Sequence, residues 1–469
     1  MCVMPPEKRE TPRMTKARQD GLYLLMLGCL VFLLLGAALE AGSPYAMVDF
    51  KSLYYGTKCL LHHGDPFRQS DLLRVYQAEG GDHPSDSAKV RRIATEYGNL
   101  PTAFTFIAPL ALLPWGLAHL LWMTATAGSL ILAAFLMWSL GANHAPLLAG
   151  ALACFLIANC ELVLIVGNAA GIVVGLCVIA VWCFLRERLA WAGVLCLAVS
   201  LAIKPHDVGL VWLFFLLAGG TYRKRALQTL LATVLMSLPA LLWVWHVAPN
   251  WPQELQANLA EFSRHGDVAD PGLAAMGTLG LGMTINLQTA IYVFQSNSRF
   301  YNPIAYLIVG SLILLWAVVI LRTRPSPVGA YKALAAISAL SMLPVYHRQY
   351  DAKLLLLMIP ACAALWAERG ITGWLALVLT AAGFVFTADL FWTFLFILVG
   401  GLHLSSSGLS GQIFNAIRVF PTPVALLLLG IFYTWACGRR ALLSSASMCS
   451  ENLNQAPAFA DGASSAPRE

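Results

Sequence analysis

The chain has 469 residues, of which 58% are hydrophobic and only 12% are charged. That charged fraction is about half the roughly 25% found in soluble globular domains, which excludes an ordinary soluble protein. The net charge of +6 is concentrated at the chain ends and in short loops, where it indicates membrane topology and no nucleic-acid surface. Apolar runs recur from Gly21 to Trp435. Because about 20 apolar residues cross the hydrocarbon core, we predict an all-α, polytopic membrane protein.

The first part of the chain predicts a leader, one span and a polar segment. Residues 1–20 are basic and are expected to form a disordered cytoplasmic leader. The first apolar run, Leu22–Leu39, is long for a signal-peptide core and is not clearly followed by a small-residue cleavage site, so we interpret it as a span. The polar segment 41–100 is long enough for short interfacial helices.

The rest of the chain alternates apolar segments with short polar loops. The apolar segments lie near 102–114, 117–139, 145–165, 167–185, 189–203, 206–219, 226–246, 303–321, 328–345, 352–367, 371–399 and 421–437. A second long polar segment, 249–302, separates the last five of them from the others. We expect residues 21–437 to form one membrane-embedded domain. Residues 438–469 are rich in Ser, Ala, Gly and Pro and predict a disordered cytoplasmic tail.

Basic residues near the span ends predict the orientation. The N-terminus, Arg186, Arg223–Arg225, Arg322 and Arg439 are assigned to the cytoplasm. The segments expected on the outer side are 41–100, 204–207, 249–302, 346–351 and 401–418. This alternation needs an odd number of crossings between residues 100 and 186, so the proline-containing segment 102–114 is interpreted as re-entrant or merged with its neighbour. About 12 full spans result.

The stretch "VDFKSLYYGTKCLLHHGDPF" places a carboxylate, Asp49, shortly after the first span. Apolar residues then recur at helical spacing, which predicts a helix lying in the interface, with one face in lipid and one toward a cavity. Asp49 is a candidate proton acceptor, and capping of that helix is the simpler alternative. Tyr54, Tyr55, Lys58 and Asp65 are candidate substrate contacts, although Asp65 is first of all a turn residue.

Two further breaks in apolar sequence carry polar residues. Asn168, after Gly167, either lines a cavity or ends a helix. In "LAIKPHDVGL" three ionisable residues, Lys204, His206 and Asp207, interrupt a long apolar stretch. Ionisable groups at membrane depth are costly and indicate function by default. A lysine there suits a phosphate, and Pro205 is expected to begin the next helix.

The stretch "LPVYHRQYDAKLLLL" concentrates polar residues in one turn between two spans. Tyr346, His347, Arg348, Asp351 and Lys353 all fall within it. Interfacial residues that snorkel are one explanation, and an anionic ligand is the one that the density of cations favours. The adjacent histidines at 62 and 63 lack a second ligand cluster and no CxxC pair occurs, so no metal and no cofactor are predicted.

Together these clusters suit transfer of a sugar from a lipid-linked phosphate donor. Lys204, His347 and Arg348 would stabilise charge on the departing phosphate. Asp49 would take the proton of the acceptor hydroxyl as that oxygen attacks C1. One carboxylate is sufficient for inversion, because the phosphate leaves without a protonated acid. Nothing in the chain resembles a nucleotide-binding loop.

Four ordered stretches also carry a family resemblance: "DFKSLYYGTKCLLHHGDPF", "EYGNLPTAFTFIAPLALLPW", "GNAAGIVVGLCVIA" followed by "AGVLCLAVSLAIKPHDVGL", and "YHRQYDAKLLLLMIP". Over roughly residues 20–370 the chain resembles glycosyltransferase family 87, polyprenol-phosphate-dependent membrane enzymes of the GT-C fold. The resemblance implies an inverting, mannosyltransferase-like activity on the outer face of the inner membrane. It also implies Asp49 as base, with Lys204, His347 and Arg348 at the donor phosphate.

The resemblance implies partners as well. These are a polyprenyl-phosphate sugar donor, a lipid or glycan acceptor and membrane lipids, with no nucleic acid. Two departures affect the acceptor side. Tyr97-Gly98-Asn99 stands where the family often has Tyr-Pro-Pro, and Gly167-Asn168 stands where it often has Gly-Gln. The remaining candidate substrate contacts are Tyr97, Asn168, His206, Asp207, Tyr346 and Asp351.

Two other classes of function fit a polytopic chain with buried charges. A transporter or flippase of lipid-linked sugars should show broken helices near the bilayer midplane and pseudo-symmetric halves. Here the polar clusters are expected at one membrane edge, which favours the enzyme. A non-catalytic assembly partner is the third class, and it would tolerate Asp49→Asn.

Overall fold

The computed structural model describes residues 14–81, 87–264, 266–272, 284–323, 326–389 and 420–454. Within these ranges the chain is helical and contains no strand. The helices up to the second polar segment are α1 (Lys16–Gly42), α2 (Val48–Leu61), α3 (Gln69–Ala78), α4 (Ala88–Thr95), α5 (Phe104–Ala111), α6 (Trp115–Gly141), α7 (Pro146–Ala158), α8 (Glu161–Val166), α9 (Ala170–Leu185), α10 (Ala190–Ile203), α11 (Pro205–Ala218), α12 (Gly220–Val247) and α13 (Trp251–Phe262). The later helices are α14 (Leu287–Tyr292), α15 (Ser298–Arg322), α16 (Pro327–Leu340), α17 (Met358–Ala367), α18 (Ile371–Phe386) and α19 (Pro421–Asn454), with short 3-10 helices at Pro101–Ala103 and Asp351–Leu357.

Helix length confirms the membrane class. Six helical stretches among the described residues are long and apolar enough to cross a bilayer: Lys16–Gly42, Trp115–Gly141, Pro146–Val166, Gly220–Val247, Ser298–Arg322 and Pro421–Arg439. Shorter apolar helices of 10–17 residues lie at Pro101–Ala111, Ala170–Leu185, Ala190–Ile203, Pro205–Ala218, Pro327–Leu340 and Ile371–Phe386. The all-α polytopic prediction is therefore confirmed, whereas about 12 full spans stays a prediction.

Several predicted boundaries differ from the structure. Segment 102–114, expected to be re-entrant or merged, contains an apolar helix of Pro101–Ala111 with Pro109 inside it. The expected span 145–165 is interrupted at Asn159 and Cys160, between α7 and α8. Of the expected span 371–399, residues 390–399 lie outside the described residues, as does the expected outer segment 401–418.

Both predicted termini are partly helical. α1 already begins at Lys16, inside the expected leader, and residues 1–13 lie outside the described residues. At the other end, α19 continues through Gly438 to Asn454, although the composition predicted a disordered tail from Gly438.

The prediction that one face of α2 lies in lipid is wrong, whereas the interfacial position of the helix stays a prediction. Most of its side chains are buried, including Phe50, Tyr54 and Tyr55. Trp115 packs against all three rings, with centroids 5.2–5.9 Å away. The helix also contacts α3, α4, α5 and α8. Its amphipathic pattern therefore reflects packing inside the protein, and this fixes Asp49 in the interior.

Candidate functional site

A cavity of about 280 Å³ contains residues from most of the predicted clusters. Asp49, Asn168, Lys204 and Arg348 all line it, although they come from four separate parts of the chain. Its volume is near the lower end of the roughly 300–1,000 Å³ of small-molecule sites. His206, Tyr346 and Asp351 line it as well. The candidate proton acceptor and two candidate phosphate ligands thus share one chamber.

Asp49 lies in the first turn of α2 and is held by Asn168. Asn168 Nδ2 donates to Asp49 Oδ2 over 2.7 Å, and Asn168 Oδ1 accepts from the backbone N–H of Ala170 over 2.8 Å. That second bond fixes which end of the amide faces the carboxylate. The residue that caps α2 is Met47, which makes no side-chain cap. Asp49 is therefore a cavity residue, and helix capping does not account for it.

Gly167 permits this contact. It ends α8 with φ of +66°, a conformation that glycine adopts without cost. A Cβ at this position would lie 2.9 Å from Phe50 Cβ, so no larger side chain fits. Trp122 Nε1 also donates to Gly167 O over 2.9 Å. The break therefore ends α8 at Gly167 and lines the cavity at Asn168, so both interpretations that the sequence left open apply.

The surroundings of Asp49 make its carboxyl group more basic. Burial raises its pKa above the ordinary value, and the Asn168 hydrogen bond together with the charges of Arg348 and Lys204 only partly offsets that effect. A raised pKa brings a carboxylate closer to the range in which a general base works best. Both cations act on Asp49, which places them within electrostatic reach of it.

Lys204 is the last residue before α11, and Pro205 begins that helix as expected. Its Nζ lies 2.7 Å from Asp351 Oδ1 and 3.1 Å from Asp207 Oδ2. Burial alone would lower the pKa of Lys204, but the two carboxylates outweigh it and raise the pKa. The ammonium is therefore permanently charged and already paired on two sides.

Arg348 is held at the cavity by its backbone. Its N–H donates to Asp351 Oδ2 over 2.8 Å, and it forms an antiparallel bridge with Thr284. The N–H of Ile285 donates to the carbonyl of the preceding His347 over 3.0 Å. The guanidinium presents up to five N–H donors in a fixed plane, which suits a phosphate.

His347 lies behind the cavity wall, unlike its neighbour Arg348. Its Nδ1 is 3.1 Å from Val345 O and its Nε2 is 3.4 Å from Asp207 Oδ1. Because both ring nitrogens face oxygen acceptors, the doubly protonated imidazolium fits best. Burial opposes that charge, but the contact with Asp207 and the charge of Asp351 raise the pKa of His347 above its ordinary value. The role of direct phosphate ligand does not suit this position.

The arrangement closest to a metal site among the described residues is formed by His206, Asp207 and His347. One ligand atom of each lies within 4.8 Å of the others. Lys204 already lies 3.1 Å from the Asp207 carboxylate, and a dication bound to Asp207 would be repelled by it. We therefore interpret Asp207 and His347 as an ion-paired support beneath the cavity, which His206 itself lines.

Two candidate tyrosines do not reach the cavity. Tyr54 OH donates to Leu113 O over 2.7 Å, and the Tyr55 ring stacks on Trp115 with centroids 5.9 Å apart. Both rings are buried in the aromatic cluster that holds α2. Spacing along a helix could not distinguish packing from ligand binding, since one aromatic stripe serves either purpose.

Three other candidates are also engaged elsewhere. Lys58 Nζ pairs with Glu79 Oε2 at 2.7 Å. Asp65 Oδ1 accepts from the N–H of Phe67 over 2.9 Å, which is the turn that the Gly-Asp-Pro stretch predicted. Tyr97 is fully buried and stacks in the core. Lys353, also from the polar turn, is buried and pairs with the carboxylate of Asp389, and neither residue lines the cavity.

The cavity contains residues that the sequence analysis did not select. Glu96 directly precedes Tyr97 and lines the cavity, as do Asn99 and Phe262. The role of Glu96 could not be predicted from the stretch "EYGNLPTAFTF", because residues that line the cavity with it, such as Phe262 and Val268, are distant in the chain. The signal that could have identified Glu96 is a carboxylate next to an aromatic residue at the edge of a predicted span.

Comparison with known proteins gives one match. A model described as Glycosyltransferase family 87 matches residues 99–345, which include Asn99, Asn168 and Lys204. No curated protein and no solved structure matches the chain significantly. The cavity residues outside the matched range therefore include Asp49 on one side and Tyr346, Arg348, Tyr350 and Asp351 on the other.

Proposed function

The chain belongs to glycosyltransferase family 87, and we propose that it transfers a hexose from a polyprenyl-phosphate donor to a lipid or glycan acceptor. Mannose is our candidate for the hexose. Its apolar helices make it a membrane protein. We further propose that the cavity opens to the outer face of the inner membrane, as the basic residues near the span ends favour. One observation carries the proposal: Asp49, Lys204 and Arg348 line a single cavity.

The proposed step is a single displacement with inversion. The acceptor oxygen attacks C1 of the sugar, and the bond from C1 to the phosphate oxygen breaks. The acceptor proton passes to the Asp49 carboxylate, and polyprenyl phosphate leaves with the electron pair. A positioned general base contributes typically 10²–10⁴-fold to such a rate. Asn168 would keep one oxygen of Asp49 engaged while the other faces the acceptor.

Arg348 is our candidate for the main phosphate contact. Its backbone is anchored by Asp351 and Thr284, so the guanidinium is presented from a fixed point. Lys204 would add charge from beside it, although its ammonium already pairs with Asp351 and Asp207. Cations held in place before the reaction stabilise charge as it develops on the leaving phosphate.

Charge balance gives His347 a supporting role. The carboxylates around this end of the cavity are Asp49, Asp207 and Asp351, and the permanent cations are Lys204 and Arg348. A positively charged imidazolium at His347 would make the numbers of positive and negative groups equal. It would also balance the negative charge of Asp207, whose Oδ1 lies 3.4 Å from His347 Nε2. Lys204 and Arg348 could then act on the donor. We therefore propose His347 as a positioning residue.

Purified protein reconstituted into sealed lipid vesicles tests the proposal. Radiolabelled polyprenyl-phosphate mannose is added with a membrane lipid extract, and the label is followed. Label in a new product supports the transferase, and the product identifies the acceptor. Movement of intact donor across a sealed vesicle without a new product would instead indicate the flippase. Donor that is neither consumed nor moved would refute both.

A further inference from the structure

One wall of the cavity is chemically unlike the end that contains Asp49. It is formed by the end of α4 with residues 96–99, and by the end of α13 with residues 268–269. Its polar groups are Glu96, Asn99 and Ser263, set among apolar side chains such as Phe262. Apolar surface with a few placed polar groups is the usual composition of a small-molecule site.

The Glu96 carboxylate is buried here with unused acceptor capacity. The residue is 7% exposed, and its Oε2 accepts no hydrogen bond from the residues that the structure describes. The nearest cation is Arg92, whose Nη1 is 3.8 Å from Oε2. Arg92 is committed to Asp267, with Nη2 only 2.6 Å from Oδ2. A buried acceptor without a partner costs free energy, which a ligand that donates to it would recover.

Phe262 provides a flat apolar surface beside Glu96. Its ring packs directly on the backbone of Gly98, where a Cβ would lie 2.5 Å from Cε2. The ring also lines the cavity. The face of an aromatic ring is electron-rich and attracts the weakly positive C–H groups of a pyranose ring. A carboxylate, an amide and a hydroxyl around such a ring match the hydroxyl groups at the edge of a sugar.

Glu96 and Asp49 are under separate electrostatic control. Burial raises the pKa of Glu96 to about 7, and the charges that modify it are Arg92, Asp267, Glu261 and Arg264. The charges that modify Asp49 are instead Arg348 and Lys204. The two carboxyl groups are therefore modified by different sets of neighbouring charges.

We propose that Glu96, Asn99, Ser263 and Phe262 form the acceptor subsite, and that it takes a neutral, hydroxyl-rich ring such as a sugar or cyclic polyol. This inference rests on the proposed function for the direction of transfer, and deepens it by naming the acceptor class. A cationic amine is the competing ligand, since a carboxylate would pair with it. At neutral pH a carboxyl group that is partly protonated both donates and accepts, which suits hydroxyl groups and not an ammonium.

Two variants of Glu96 separate these ligands. Glu96→Gln keeps the shape and both hydrogen-bonding functions, so a hydroxyl-rich acceptor should lose less than about threefold in KM. Glu96→Ala removes them, and KM for the acceptor should rise about tenfold or more. Glu187→Gln, at an exposed position outside the cavity lining, is the control. Hydrolysis of the donor by water should stay within about twofold in this control variant.

Binding of small probes tests the subsite independently of turnover. Saturation-transfer NMR on the protein in nanodiscs uses methyl α-D-mannopyranoside and, as the cationic alternative, cyclohexylamine. The mannoside signal should persist in Asp49→Asn and Glu187→Gln, and fall at least about threefold in Glu96→Ala. Equal signals in Glu96→Ala and Glu187→Gln would overturn the subsite. Preferential binding of cyclohexylamine that is lost in Glu96→Gln would overturn the ligand class. A mannoside signal without any sugar transfer would count against the proposed function alone.

Discussion

Asn168 Nδ2 donates a 2.7 Å hydrogen bond to Asp49 Oδ2 across the cavity wall. The two residues are far apart in sequence, and the contact joins the start of α2 to the break between α8 and α9. The amide is itself oriented by the N–H of Ala170. Asn168 thus sets both the direction and the basicity of the carboxylate to which we assign the proton transfer.

Removing this amide should affect rate and pH dependence together. We expect Asn168→Ala to lower the transfer rate about tenfold, because Asp49 loses the bond that orients it. The same bond lowers the pKa of Asp49, so its loss should move the acid limb of the pH–rate profile to higher pH. Steady-state rates across pH measure both effects. Asn143→Ala, at an exposed position, is the control, and an unshifted acid limb would contradict the assignment.

The unmodified enzyme should also lose activity on the acid side. Burial raises the pKa of Asp49, and a general base works only when deprotonated. Transfer should therefore fall as pH falls through that pKa, which lies above the roughly 3.9 of a free aspartate. Rates at saturating donor and acceptor test this. A rate that stays constant down to about pH 4 would be incompatible with the raised pKa.

Replacement of Arg348 by lysine tests the phosphate contact. Lysine keeps the charge but loses the planar, multiple donor geometry of the guanidinium. We expect Arg348→Lys to raise KM for the donor about tenfold with little change in KM for the acceptor. Arg299→Lys, outside the cavity lining, serves as the matched control. A rise in KM confined to the acceptor would mean that Arg348 binds the acceptor and not the donor phosphate.

The pair of His347 and Asp207 predicts a pH-dependent stability. The pKa of His347 is raised in the folded protein, so its contribution is fully present below the unfolded value near 6.5 and is lost as pH rises through the folded value. The difference in Tm between the unmodified protein and His347→Gln should therefore shrink as pH rises from about 6 to about 9. Thermal unfolding in detergent measures it, and a difference that grows with pH would contradict the imidazolium.

A second buried ion pair supports the 3-10 helix that carries Asp351. Lys353 Nζ lies 2.7 Å from Asp389 Oδ1 and donates to the carbonyls of Asn159 and Thr387. Removing one partner of a buried pair costs about 3–5 kcal/mol. Lys353→Met should therefore lower the midpoint of thermal unfolding markedly, whereas Lys224→Met, at an exposed position, should not. Equal midpoints would mean that the pair contributes nothing.

The sequence predicted where functional polar residues interrupt the apolar segments more accurately than it predicted the role of each side chain. Pro205 and the cost of ionisable groups in apolar sequence located Lys204 correctly at a helix boundary. Adjacent residues in the turn at 347–348 were indistinguishable by composition, yet Arg348 faces the cavity and His347 faces Asp207. That difference follows from the bridge to Thr284, a long-range contact.

The remaining errors arise because the sequence does not show which side chains are covered by other parts of the folded protein. The period of α2 was correct for a helix with an apolar side, but periodicity does not say whether lipid or protein covers that side. Here Trp115 and its neighbours cover it. Glu96 was overlooked for a similar reason, because only the tertiary fold brings it to the cavity that the distant Phe262 also lines.

The most direct test of the central claim is the turnover of Asp49→Asn, with donor binding measured on the same preparation. Asparagine keeps the size of the side chain and removes the proton acceptor. We predict that sugar transfer falls by about 10²-fold or more while the affinity for polyprenyl-phosphate mannose changes less than about threefold. Transfer at an undiminished rate by a folded, donor-binding Asp49→Asn protein would contradict the account.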